Sequence, residues 1–68
     1  MKNKGIEKMV DTRRKLRITQ SDLSEKTGIK RTTIASIEAG FNRPSVKNAK
    51  ILAKFLGFKW ELFFEEEE

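Results

Sequence analysis

The sequence predicts an all-α fold, and three observations carry that prediction. Apolar residues recur at steps of three and four along most of the chain. No stretch alternates apolar and polar residues for long enough to make a strand. The helical stretches are punctuated by residues that start or stop helices, such as Thr19, Gly28, Gly40, Ser45 and Gly57. With 68 residues the chain is one domain near the lower limit for a single core. A chain of this size buries only about 60% of the surface it exposes when unfolded, so a second copy or a ligand often completes it.

The elements follow in order. Ile6, Met9, Val10, Arg13 and Leu16 share a helical face, which predicts a first helix over about 5–17. Thr19-Gln20-Ser21-Asp22 resembles a capping box with Asp in place of the preferred Glu. A short helix over about 19–26 should follow, with Leu23 inward and Gly28 as its stop. The third helix is expected over about 30–39, with Ile34 and Ile37 inward and Gly40 at its end. Phe41-Asn42-Arg43-Pro44 reads as a loop, because Pro keeps its predecessor from helical angles, and Ser45 is a good N-cap. A fourth helix over about 46–56 ends at Gly57, with Val46, Ala49, Leu52, Ala53 and Leu56 on its core face. A last short helix over about 60–65 should close the domain, with Phe63 and Phe64 inside.

Composition excludes several chemistries. The chain has no Cys and no His, which removes disulfides, thiolate or imidazole metal ligands, a Cys nucleophile and an imidazole base. The carboxylates lie mostly on helix surfaces or at the C-terminus, so an enzyme is not expected, nor a metal, cofactor or small-molecule ligand. No apolar run approaches the roughly 20 residues of a membrane span, and Lys near the N-terminus is not followed by the apolar run of a signal peptide. A soluble cytoplasmic domain is the expectation.

The net charge of +5 hides an asymmetry. Residues 1–64 carry fifteen basic and six acidic residues, and Glu65 to Glu68 carry four negative charges. A body of charge +9 points to a polyanion, nucleic acid first and an anionic membrane second, although a solvated basic surface has the same composition. Within that body, Thr19 to Ala39 has the layout of a helix-turn-helix: two short helices joined at Gly28, with Leu23, Ile29, Ile34 and Ile37 as their internal contact. Spacing alone also allows a plain helical hairpin.

The residues themselves are more specific. Ile18-Thr19-Gln20-Ser21-Asp22-Leu23, Ile34-Ala35-Ser36-Ile37-Glu38-Ala39-Gly40 and Asn42-Arg43-Pro44-Ser45 occur together and in order. Over roughly residues 5–64 the chain resembles the Xre family of lambda-repressor-like helix-turn-helix regulators. That resemblance implies a compact five-helix DNA-binding domain, usually a dimer on a near-palindromic operator. It implies that Gln20 bonds a phosphate or an outer base, and that the helix starting near Lys30 reads DNA through Lys30, Arg31, Thr32 and Ser36. It also implies an ion pair between Arg13 and Glu38. Chemistry then suggests roles. Arg31 can fork onto a guanine edge, with a phosphate contact as the competing role. Thr32 and Ser36 offer small polar groups, or are simply helix surface. Ala35 allows close approach. Lys30 and Arg43 suit phosphates, which fix register without reading sequence.

Three positions depart from the family pattern. Lys30 stands where the family prefers a Ser or Thr cap, and its charge opposes the helix dipole. Ser24 and Thr27 stand where the family has small or aliphatic core residues. They should loosen the second helix unless their hydroxyls bond back to the preceding turn. On the fourth helix Ile51 and Phe55 fall on the outer side. With Phe58, Trp60 and Leu62 they are expected to form a homodimer surface, and the competing reading has them covering the core around the last helix.

The chain therefore divides into a DNA-binding domain over 1–64 and an acidic tail over 65–68, with no room for a sensing domain. The function expected is a sequence-specific repressor. The alternative is a protein-interaction module of the same fold, such as an antitoxin or partner-binding subunit. The tail reads as solvated, or as a phosphate mimic that lowers non-specific binding. Arg14, Lys15 and Arg17 gain no role here beyond attraction to the duplex.

Overall fold

The computed structural model describes residues 3–65. Four α-helices and a closing 3-10 helix build it: α1 (Lys4–Lys15), α2 (Gln20–Thr27), α3 (Arg31–Glu38), α4 (Val46–Leu56), then Trp60–Phe64. The tail residues 66–68 lie outside the described residues.

Local chemistry sets the helix ends. Asn3 caps α1 by accepting from the Ile6 amide, and Ser45 caps α4 by accepting from the Asn48 amide. Thr19 and Asp22 form the full reciprocal box, so α2 begins at Gln20 with Thr19 as its cap. Gly28 (φ 76°) and Gly57 (φ 89°) turn the chain into the left-handed region after α2 and α4. The expected ends shift by one or two residues at α1, α2 and α3, as fraying ends do. The last element is 3-10 rather than α, which suits five residues with no capping side chain.

The core comprises Met9, Leu23, Ile29, Ile34, Ile37, Ala49, Leu52, Ala53, Leu56 and Phe63. Phe63 is fully buried, between α1 and α4. Truncating it to Ala would cost about 3–5 kcal/mol, comparable to the whole stability of a domain this small. Its backbone passes so close to α1 that a Cβ on Gly5 would lie 2.5 Å from the Phe63 nitrogen. The Asn3 amide also donates to the Phe63 carbonyl at 2.7 Å.

Three inward assignments are corrected. Leu16 is 52% exposed and Val46 49% exposed, because each lies at a helix end beyond the reach of the packed turns. Phe64 is only half-buried, at the rim, with its ring against Trp60 and under the Arg43 guanidinium. Ser24 and Thr27 do not loosen α2. Thr27 donates back to the Leu23 carbonyl and accepts from the Ile29 amide, while Ser24 donates forward to the Ile29 carbonyl rather than back to the preceding turn. Both hydroxyls thus brace the turn between α2 and α3.

Candidate nucleic-acid interface

α2 and α3 pack against each other through Leu23, Ile29, Ile34 and Ile37, all buried. Burying Ile34 and Ile37 turns the other side of α3 outward. Lys30, Arg31 and Thr32 are exposed at its first turn, and Ser36, one turn on, is half-buried. No side chain caps this helix at Lys30, so its first-turn amides face outward without an internal acceptor from the cap. The outward face thus carries two cations and two hydroxyls.

A polar network holds this face to the rest of the domain. Arg13 Nε donates to Glu38 Oε2 at 2.7 Å and its Nη2 to Oε1 at 3.0 Å, a two-pronged pair at 12% and 8% side-chain exposure. Arg13 Nη1 donates to the Ile18 carbonyl at 2.9 Å, which ties the α1–α2 turn into the same cluster. The hydrogen bonds to Glu38 push the Arg13 pKa up despite burial, so it stays cationic at any working pH. Gln20 enters here too, its side-chain amide donating to Glu38 Oε1 at 2.9 Å. Its donor therefore serves the protein's interior network, which the resemblance did not foretell.

The remaining assigned residues are scattered. Arg43 lies in the α3–α4 loop with its guanidinium 5.9 Å from the Phe64 ring centre. Of the outer patch, Ile51, Phe58 and Trp60 pack against the core, Leu62 is half-buried, and Phe55 is 42% exposed. The sequence placed Ile51 on the outer side, yet it is partly buried and packs against the core. Lys50 covers the Trp60 ring at 5.1 Å. Phe41, just past α3, is 82% exposed, and sequence reasoning had made it a plain loop residue.

Sequence reasoning also left Arg14 and Arg17 without a place. They line a shallow cleft of about 500 Å³ between the end of α1 and the start of α2, which reaches Arg31 on α3. Among the described residues neither forms an ion pair. Arg17 has φ 59°, a value no other described non-glycine residue approaches.

Comparison with known proteins decides the family. The helix-turn-helix family profile matches residues 11–63, which includes α2, α3 and the whole of α4. The chain belongs to the Xre, lambda-repressor-like helix-turn-helix family. It is similar to an uncharacterized HTH-type transcriptional regulator of Methanocaldococcus jannaschii, 47% identical over 51 residues, 75% of this chain and 77% of that one. It is also similar to an uncharacterized HTH-type transcriptional regulator of Archaeoglobus fulgidus, 38% identical over 58 residues, 82% of each. No solved structure matches the chain. α2 and α3 are the first and second helices of the helix-turn-helix. Among the described residues no helix is long and apolar enough to cross a membrane, and no acidic cluster could hold a metal ion.

Proposed function

We propose that the chain is a sequence-specific regulator of transcription that binds double-stranded DNA, acting as a repressor and as a homodimer. The coarse part, a DNA-binding regulator, rests on family membership and on the relatives' names. The finer part rests on the outward face of α3, where Arg31 and Thr32 are exposed while Ile34 and Ile37 are anchored in the core. The N-terminal turn of a recognition helix is the part that reaches base edges in the major groove. Arg31 would fork onto guanine, Thr32 would meet a thymine methyl, and Ser36 would donate or accept. Lys30 and Arg43 would hold phosphates, and Gln20, whose amide also donates to Glu38, would meet a phosphate or an outer base.

One such helix reads only a few base pairs, so two copies are needed for specificity. We place the second copy on the Phe55 side, where Phe55 is exposed and Ile51, Phe58, Trp60 and Leu62 keep part of their surface open. The operator is then an inverted repeat with half-site centres about 34 Å apart, one helical turn. Selecting bound sites from a random duplex pool tests this directly: an enriched palindrome supports it. Absence of duplex binding in a gel shift at low salt would turn the reading to the protein-interaction module. Phe55→Asp should sediment as a folded monomer with weakened operator binding. A folded variant that remains dimeric would remove Phe55 from the interface.

A further inference from the structure

α1 and α3 end with the same pair of hydrogen bonds. After α3 the Phe41 amide donates to the Ser36 carbonyl and the Gly40 amide to the Ile37 carbonyl, both at 3.0 Å. After α1 the Ile18 amide donates to the Arg13 carbonyl at 3.2 Å and the Arg17 amide to the Arg14 carbonyl at 3.0 Å. Both are Schellman motifs, which need a left-handed residue at the turn and usually take Gly there. α3 uses Gly40 at φ 83°, whereas α1 uses Arg17 at φ 59°. In this conformation a side chain's Cβ crowds its own carbonyl, so Arg is disfavoured where Gly is not. A residue held against its backbone preference is a reason to look for what its side chain does.

The Arg17 side chain lines the cleft at the α1–α2 elbow, together with Arg14 and Arg31. Arg13 also reaches it but is neutralised by Glu38. Among the described residues no carboxylate lines the cleft, and Arg14, Arg17 and Arg31 form no ion pair. Ser21, exposed at the first turn of α2, adds a hydroxyl donor. Two guanidinium forks, those of Arg14 and Arg17, and a hydroxyl around a shallow, open cleft suit a singly charged phosphodiester, whose paired oxygens accept two-pronged donation, with Arg31 at the α3 edge. The openness of the cleft suits a phosphate carried on a strand that passes across it, rather than a ligand that must be enclosed.

We infer that Arg17, a residue outside the contacts the family resemblance implies, is a positioning residue at this elbow, adding a cation beside Gln20 to hold a DNA backbone phosphate next to α3. The inference rests on the DNA-binding reading and adds a contact to it. Arg31 lines the cleft and also opens α3, so a phosphate seated there would fix how far the reading helix enters the groove.

The test uses the full chain with Arg17→Gly, Arg17→Asn and Arg14→Gln. Gly and Asn both tolerate the left-handed turn, so the fold is kept and only the charge is lost. Arg17→Gly should melt a few degrees higher than wild type yet bind random duplex roughly tenfold more weakly. Its plot of log affinity against log salt should be shallower by about one unit. Arg17→Asn and Arg14→Gln should flatten the same plot, and Arg17→Lys should restore most of the slope. A wild-type slope and affinity for both Arg17→Gly and Arg17→Asn would overturn the inference while leaving DNA binding intact. No duplex binding by the wild type would instead sink the reading beneath it. Inorganic phosphate, titrated alone and followed by amide shifts, separates the two phosphate sources. Saturation near Arg17 with an unchanged duplex salt slope would assign the cleft to free phosphate and overturn the backbone contact.

Discussion

Thr19 fastens the first turn of α2 with two reciprocal hydrogen bonds, whereas Lys30 gives the first turn of α3 none from its side chain. The Thr19 amide donates to Asp22 Oδ2 at 2.8 Å, and the Asp22 amide donates to Thr19 Oγ1 at 3.0 Å. Lys30 cannot accept at all, and its charge faces the positive end of the α3 dipole. The supporting helix is thus secured at its start, and the reading helix is secured at its end, where Glu38 takes three donors from Arg13 and Gln20. The difference teaches that the two helices are fastened at opposite ends, α2 at its start and α3 at its end. Under the proposed function, a cap on α3 would occupy first-turn amides that would otherwise face a phosphate.

The strongest way to break this comparison is to release the far end of α3. Glu38→Ala leaves the largely buried Arg13 charge unpaired and should cost on the order of 3 kcal/mol, a fall of more than about 10 °C in melting temperature. A loss below about 1 kcal/mol in thermal unfolding would mean that the network does not hold the helix. Replacing both partners with apolar residues should cost much less, since desolvation of the pair already offsets most of its attraction.

Editing the two caps sharpens the comparison. Thr19→Ala should destabilise by about 1 kcal/mol and leave the affinity for DNA, corrected for the unfolded fraction, little changed. Lys30→Ser should do the reverse, raising stability by up to about 1 kcal/mol while weakening duplex binding. If calorimetry and gel shifts show stability and affinity rising together in Lys30→Ser, recognition does not depend on the missing cap.

The smallest expected effect is a pH dependence. Hydrogen bonds from the Thr19 backbone, then from its side chain, hold the Asp22 carboxyl below the usual carboxylate range. Its folded value lies below its unfolded value of about 3.9, so its stabilisation is complete above that value and fades as pH falls through the folded one. The gap in stability between wild type and Asp22→Ala should be flat near neutrality and shrink below about pH 4. A gap that persists unchanged at pH 2 would mean that the carboxylate form contributes nothing to the box.

Much of this was legible because it is local. The Thr19–Asp22 box, the absent cap at Lys30, and the left-handed stops at Gly28 and Gly57 are each written within a few residues. The inward positions of Leu23, Ile34 and Ile37 follow from helical spacing alone. What failed depends on tertiary position. Leu16 and Val46 match the periodicity of their helices but fall past the last packed turn, so spacing overstates their burial. Ile51 looks outward on an isolated helix, yet in the folded domain it packs against the core. The cleft at the elbow was hidden for another reason. Its left-handed turn is occupied by Arg17, and a sequence marks such a turn only when Gly or Asn stands there. Two residues of the candidate site, Gln20 and Arg31, were named from resemblance without any sign that both border that same cleft.

The clasp between Asn3 and Phe63 joins positions sixty residues apart. Ribosomal synthesis delivers α1 well before Phe63, so α1 is made before the ring that packs on it exists. The surface over Gly5 stays open to water until Phe63 has emerged. The domain therefore completes its core only after translation of the closing segment, and the reading helix, which packs on α1, gains its full support at the same moment.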